Sequence, residues 1–325
     1  MNYTFIIQAL GVDRLKQNEP LAKHTYFKLG GPADLLYEAG TVQELVTAVQ
    51  SAILYKVPYL VLGAGSNIIV TDAGFPGLVI KNKTKNIQLK GFGGGVEKGK
   101  LDLKEAIVQA ESGVPANHLI RYTLDQGLAG LEDMLGLPGS VGGAVYNNSH
   151  HLGKLFGEHI VEVEALDRAG EIKKYTQKQL DFSYDYSIFH KTKETILSAT
   201  FQLKRGDKDK LWELANAAVK RRSTTQPLGA PSSGCIFKNI PLADAMRIGT
   251  PDTTQSVGYL LDKAGLKGLR VGGASVSEVH ANFIVSDGTA TPSDVLTLIS
   301  QIKTKIKAKF GVELQLEVII IGENK

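Results

Sequence analysis

The order of apolar patterns along the chain predicts an α+β protein in three parts, residues 1–83, 84–205 and 206–325. Two observations carry this. Along the N-terminal part, runs with a helical repeat alternate with β-branched runs. Later, Gln226-Pro227 and Pro231 mark a linker after a long helical stretch, and a strand–helix–strand unit follows it. With 325 residues, 43% hydrophobic and 22% charged, the chain is long enough for two or three ordinary globular domains.

The elements follow in order. "TVQELVTAVQSAILY" opens with Thr41 and Glu44 at capping-box spacing, and Val42, Leu45, Val46, Val49 and Ile53 repeat as one helical face. "PYLVLGAGSNIIVTD" is a β-rich run into Gly63-Ala64-Gly65 and a second run, Ile68 to Val70, out of it. "GLVIKN" reads as a strand, and "LDLKEAIVQAES" and "PANHLIRYTLDQ" as helices. "IVEVEALDRAGEIKKYT" reads as a hairpin turning at Asp167 to Gly170. "DKLWELANAAVKRR" is a long helix. In the last unit "HANFIVSDG" is a strand, Thr291 caps a helix with Pro292 in its first turn, and Gly311 precedes the strand "VELQLEVIII".

Charge and cysteine content narrow the function. A net charge of +4, with lysines spread through stretches such as "KNKTKNIQLK", reads as a solvated face and not a nucleic-acid patch. The single cysteine, Cys235, excludes an intrachain disulfide and a cysteine-cluster metal site, and fits a reducing compartment. No histidine or carboxylate pair stands at metal-ligand spacing, so no metal is expected. "MNYTFIIQAL" lacks the pattern of a leader, and no run reaches the ~18 apolar residues of a membrane helix. A cytoplasmic, monomeric protein that meets neither membrane nor nucleic acid is expected.

Two glycine loops are the strongest local features. Gly63, Ala64, Gly65, Ser66 and Asn67 form a strand–loop–strand turn. It lacks the helix that a dinucleotide fingerprint requires, but its amides can still form an anion nest. "GLPGSVGGAVYNN" packs Gly136, Gly139, Gly142 and Gly143 around Pro138 and Ser140. Such density serves close backbone approach or positive φ. Together the loops suit two walls of an elongated cofactor carrying a diphosphate. Cys235, alone behind Gly234, is by its residue type either a small buried hydrophobe or a reactive group.

"HTYFKLGGPADLL", "LGAGSNIIVTDAGFPGLVI", "GLPGSVGGAVYNN", "SSGCIFKN", "GYLLDKAGLKGLRVGGASVSEVHANFIV" and "GVELQLEV" appear in the order found in UDP-N-acetylenolpyruvoylglucosamine reductases. The chain resembles that family from about Lys23 to Gly322, in its shorter subgroup without the inserted tyrosine loop. The resemblance implies a two-part FAD-binding domain of the vanillyl-alcohol-oxidase (PCMH) type and a C-terminal α/β substrate-binding domain. It also implies bound FAD, NADPH as reductant, and reduction of UDP-N-acetylglucosamine enolpyruvate to UDP-N-acetylmuramate in peptidoglycan precursor synthesis.

Residue roles follow from the same resemblance. Gly63 to Asn67 would meet the FAD diphosphate, with Ser140, Gly142 and Gly143 beside the ring system. Cys235 would give a proton to the substrate enolate left by hydride transfer. A thiol of ordinary pKa near ~8.5 is a stronger acid than an alcohol and still holds its proton at neutral pH. Glu317 would work as the carboxyl group near that enolate, although strand alternation alone places it on an exposed face. Lys238, Asn239 and His280 would contact the nucleotide sugar.

Two departures stand out. The family reads F-x-Y-R-x-S-x-F, with an arginine that steadies the enolate, whereas this chain reads "FSYDYSIF" with Asp185. The family's N-A-G is also missing its glycine in "NNSHHLG". Asp185 keeps open a related FAD oxidoreductase for another nucleotide sugar, or a non-catalytic flavin- or UDP-sugar-binding homologue. If only the guanidinium is missing, Asp185→Arg raises turnover about tenfold or more. If Asp185 serves a different substrate, or pairs with a neighbouring Lys or Arg that has taken over the charge, the substitution lowers it. The sequence favours the first outcome.

Overall fold

A computed structural model describes residues 3–97, 100–151 and 153–322. Met1 and Asn2, the start of the segment read for a leader, and Leu152, within the 147–153 stretch, lie outside the described residues.

The chain forms two compact units interleaved in sequence. The first comprises Met1–Gln17, Asp34–Ala64 and Gly77–Arg222, and the second Asn18–Ala33, Gly65–Pro76 and Ser223–Lys325. Contiguous cuts at 83 and 205 do not fall on the edges of these units. Long-range strand pairing is the reason. In the second unit Ile319–Ile321 runs parallel to Ile68–Val70 and draws an early segment onto the late one.

One four-stranded sheet has the order Leu15–Pro20, Pro32–Ala39, Phe75–Asn82, Tyr59–Leu62. Helix Val42–Leu54 buries Leu45, Val46, Ala48, Val49 and Ala52, close to the face expected from its repeat. At its N-terminus Thr41 Oγ1 accepts from Glu44 N at 3.2 Å, and the Glu44 carboxylate accepts from Gly40 N.

A second sheet runs Ile172–Thr176, Ile160–Leu166, Thr195–Arg205, Lys100–Glu111, Ile87–Glu97, with Leu128–Ala129 also on Thr195–Arg205. Lys100–Glu111 therefore corrects the helix expected from "LDLKEAIVQAES". The helix-favouring Lys, Glu and Ala lose to the ladder, in which Ala106, Val108 and Ala110 face Leu203, Phe201 and Ala199. These three are buried, and the alternate residues are not. The expected hairpin forms: Asp167 Oδ1 accepts from Ala169 N and Glu171 N, and Gly170 takes φ 83°.

In the second unit helix Pro292–Phe310 packs over a small antiparallel sheet of Arg270–Val271, Ala274–Val276 and Ile284–Ser286. Val295, Leu298, Ile299, Ile302 and Ile306 join Phe27, Ile69, Ile236 and Phe237 in one core. Only Ile284–Ser286 of "HANFIVSDG" is strand. The strand expected over 312–321 is likewise regular only at Ile319–Ile321. Before it the chain stays alternating, with Val312 and Leu314 buried and Glu313 and Gln315 exposed. Its partner there is a short irregular segment, which supports single bonds and not a ladder. Among the described residues no helix is long and apolar enough to cross a membrane.

Thr291 Oγ1 accepts from Asp294 N, and the Asp294 carboxylate accepts from Thr291 N, a complete capping box on the helix that roofs this core. Thr291→Ala should lower stability by about 1 kcal/mol, read as a lower urea midpoint at unchanged slope.

Candidate active site

The first unit carries one group of the expected residues. Gly63 stands against Ser140, since a Cβ on Gly63 would lie 2.3 Å from Ser140 Oγ. Lys81, only 7% exposed, donates to the Gly63 carbonyl at 2.6 Å. Burial lowers the Lys81 pKa to about 8, with Lys83 adding to the effect. Lys81 thus leaves the solvated lysine face to Lys83, Lys85 and Lys90, which are exposed. Its mark in the sequence is a lysine inside the apolar run "GLVIKN".

The second glycine loop is fastened to the end of strand Lys100–Glu111. Val141 N donates to Val114 O and Gly142 N to Ser112 O, and Ala116 N donates to Gly139 O. Asn82 Nδ2 donates to Ser112 Oγ at 2.8 Å within the buried interior. Gly136 N donates to Asn117 Oδ1, and Pro138 and Gly139, with φ 120° at Gly139, complete the approach. Ser140 then caps helix Val141–Asn147, its Oγ accepting from Gly143 N. A Cβ on Gly142 would press to 2.9 Å from Ser112, so protein contact accounts for that glycine. Gly143 differs. Its φ lies outside the left-handed region, and an added Cβ meets nothing nearer than 3.6 Å. Protein packing does not require glycine there.

The loop Gly63–Asn67 continues into the second unit after Ala64. The carbonyls of Gly65 and Asn67 accept from Tyr26 N and Ile319 N. Among the described residues no protein group accepts from the backbone N–H groups of Ala64, Gly65, Ser66 and Asn67. Consecutive unspent amides of this kind are an anion nest.

Within the second unit the remaining expected residues meet on one short segment, 235–238. On one side Cys235 bridges Phe283, and Ile236 N donates to Asn282 O. On the other, Phe237 bridges Leu316, Glu317 N donates to Ile236 O, and Lys238 N donates to Gln315 O. Cys235 and Glu317 are thereby fixed on adjacent extended segments. Asn67 Nδ2 donates to Glu317 O at 3.3 Å and ties the glycine loop to the same place. Cys235 is partly exposed. Glu317 is partly buried, off the exposed face that alternation assigned it.

Asn239 is exposed, and its Oδ1 accepts from Val257 N at 3.4 Å. His280 Nδ1 accepts from Asn282 N, so the neutral ring carries its proton on Nε2. Burial, ahead of the charge of Lys267, pushes the His280 pKa down. Asn282 was not legible in the sequence, because its function is to hold backbone. Its Oδ1 accepts from Phe237 N at 3.0 Å and its Nδ2 donates to Phe237 O at 2.8 Å.

Comparison with known proteins agrees with this division. Residues 226–321 match the family model for the C-terminal domain of UDP-N-acetylenolpyruvoylglucosamine reductase, and residues 33–176 match that for an FAD binding domain. The UDP-N-acetylenolpyruvoylglucosamine reductase of Bacillus subtilis is 38% identical over 97% of this chain and 96% of its own length. That of Carboxydothermus hydrogenoformans is 38% identical over 94% of each. The crystal structure of the Thermus caldophilus UDP-N-acetylenolpyruvylglucosamine reductase superposes with a TM-score of 0.74 at 30% identity, covering 93% of this chain and 97% of that one. The residues present fit a bound FAD, because the nest at Ala64–Asn67 offers amides to a diphosphate and Gly143 leaves open the space of a side chain.

Two substitutions probe this arrangement. Gly143→Ala should stabilise the protein stripped of flavin by up to about 1 kcal/mol, as alanine does inside a helix, yet lower its flavin content after reconstitution. Asn282→Ala strands the buried N–H and C=O of Phe237 and should cost about 1–3 kcal/mol. Denaturant titration and the absorbance ratio of flavin to protein measure both.

Proposed function

The chain belongs to the UDP-N-acetylenolpyruvoylglucosamine reductase family, and we propose that it reduces UDP-N-acetylglucosamine enolpyruvate to UDP-N-acetylmuramate for peptidoglycan precursor synthesis, with FAD bound and NADPH as reductant. The observation that supports this reading is the backbone clamp that holds Cys235 and Glu317 on adjacent extended segments, with Glu317 N on Ile236 O. FAD, when bound, supplies the hydride that it takes from NADPH.

The chain's own residues have the remaining work. Hydride addition to the outer vinyl carbon leaves negative charge on the inner carbon and its carboxylate. A proton must reach that inner carbon, and the Cys235 thiol gives it, Sγ–H breaking as C–H forms. Glu317, on the adjacent segment, steadies the enolate as a carboxyl group or returns a proton to the thiolate. Ala64–Asn67 and Ser140–Gly143 hold the cofactor, and Lys238, Asn239 and the Nε2–H of His280 meet the nucleotide sugar. In this reading residues 1–83 and 84–205 serve the flavin and 206–325 the substrate. The enzyme acts in the cytoplasm as a monomer on small molecules, without nucleic acid or membrane.

Anaerobic half-reactions test the assignment. Cys235→Ala should leave bleaching of the flavin by NADPH intact and slow its reoxidation by the enolpyruvyl nucleotide by about 10²-fold or more, the scale of a lost general acid. Cys235→Ser should retain appreciable reoxidation. Equal reoxidation by Cys235→Ala and wild type would remove the thiol from the mechanism. Failure of the wild-type flavoprotein to be reoxidised by this nucleotide would end the functional reading itself.

A further inference from the structure

The two departures from the family pattern meet. His150 Nδ1 lies 3.1 Å from Asp185 Oδ1, the Asp185 side chain being 6% exposed and that of His150 29%. Both residues belong to the first unit. We propose that His150, oriented by Asp185, binds an anionic oxygen of the substrate through Nε2. The inference rests on the proposed function and deepens it by naming a recognition group.

The pair is built and not incidental. Ser183 and Tyr186 exchange backbone hydrogen bonds at 3.1 and 3.2 Å, so that Tyr184 and Asp185 form the tip of a tight turn, with φ 50° at Asp185. That turn is fastened to the end of helix Val141–Asn147. Asn148 Nδ2 donates to Ser183 O at 2.9 Å, its Oδ1 accepts from Gly157 N, and Ser187 Oγ donates to Tyr146 O at 2.6 Å. The Tyr184 ring lies against the His150 ring, centroids 4.6 Å apart. The imidazole is thus held on two sides.

Chemistry then dictates what the free edge does. A buried carboxylate is tolerated only with hydrogen-bonded or charged partners, and His150, with Nδ1 3.1 Å from Oδ1, is one of them. Nε2 faces the other way, and among the described residues it has no partner. An N–H on that edge is a donor and suits a carboxylate or phosphate oxygen. The substrate offers both. The helix that leads to the pair begins at the second glycine loop, and seven residues at 1.5 Å each put the two ends only about 10 Å apart.

Asp185 therefore has a partner in His150. A guanidinium at position 185 would remove the acceptor that orients His150, so Asp185→Arg is expected to lower turnover.

Titration calorimetry on the oxidised holoprotein tests the proposal, with the enolpyruvyl nucleotide and with UDP-N-acetylglucosamine, which has the diphosphate but no carboxylate. His150→Gln should weaken the enolpyruvyl nucleotide about tenfold or more, the scale of one charge-assisted hydrogen bond. Loss for that ligand alone identifies the carboxylate, and loss for both identifies the diphosphate. Asp185→Asn should weaken binding less, and the double variant no more than His150→Gln alone, since Asp185 acts through His150. A merely structural pair would give additive losses. The absorbance ratio of flavin to protein shows that each variant is folded and holds flavin. Wild-type affinity in His150→Gln, or additive losses, would overturn the proposal. If wild type itself fails to bind the enolpyruvyl nucleotide, the functional reading fails and this inference falls with it.

Discussion

Cys235 to Lys238 run extended between two neighbours, and the packing of the second unit around them depends on that clamp. The segment is too short to be a strand by itself. It is held by Ile236 N on Asn282 O, by Glu317 N on Ile236 O, by Lys238 N on Gln315 O, and by both ends of the Asn282 amide on Phe237. Ile236 and Phe237 are 1% exposed, so these bonds work out of water, where an unmet backbone group is costly. The residues that anchor the segment in the core thus directly follow Cys235 in the chain.

The first unit solves a parallel problem with glycine and a hydroxyl. Ser140 lies close against Gly63, caps the helix that follows and, through the loop's bonds to Ser112 and Val114, is referred back to a long strand. Most of the glycines there are set by protein neighbours. A side chain at Gly142 would strike Ser112, and one at Gly136 would press on Arg222. Gly143 is left as the position whose bareness the protein itself does not demand. A dense glycine loop therefore need not mean dense ligand contact, and adding a Cβ in thought separates the two causes.

Charge follows the same economy of support. Arg222, buried at the end of helix Lys208–Thr225, stands 3.3 Å from His151. Burial, together with that neighbouring charge, pushes the His151 pKa down to about 4. The adjacent His150 is set instead against Asp185. Neighbouring histidines on one two-residue strand thus meet opposite environments, one cationic and one anionic, and take different parts.

The sequence by itself determined the elements whose causes are local. The helix over 42–54, the hairpin turning at Asp167 and the Thr291–Pro292 cap with Gly311 at the far end were legible because caps, turns and repeats act over a few residues. The order of motifs was legible too, and with it the family. Tertiary structure alone decided the rest. Lys100–Glu111 is a strand because its neighbours pair with it, against its own propensity. Segments 65–76 and 18–33 belong with the C-terminal part because strand 319–321 pairs with strand 68–70. Asn282, Lys81 and the meeting of His150 with Asp185 carry no local signature, since each depends on contacts between residues far apart in the chain. Local rules fix what a segment can become; only the packed chain fixes which distant group completes it.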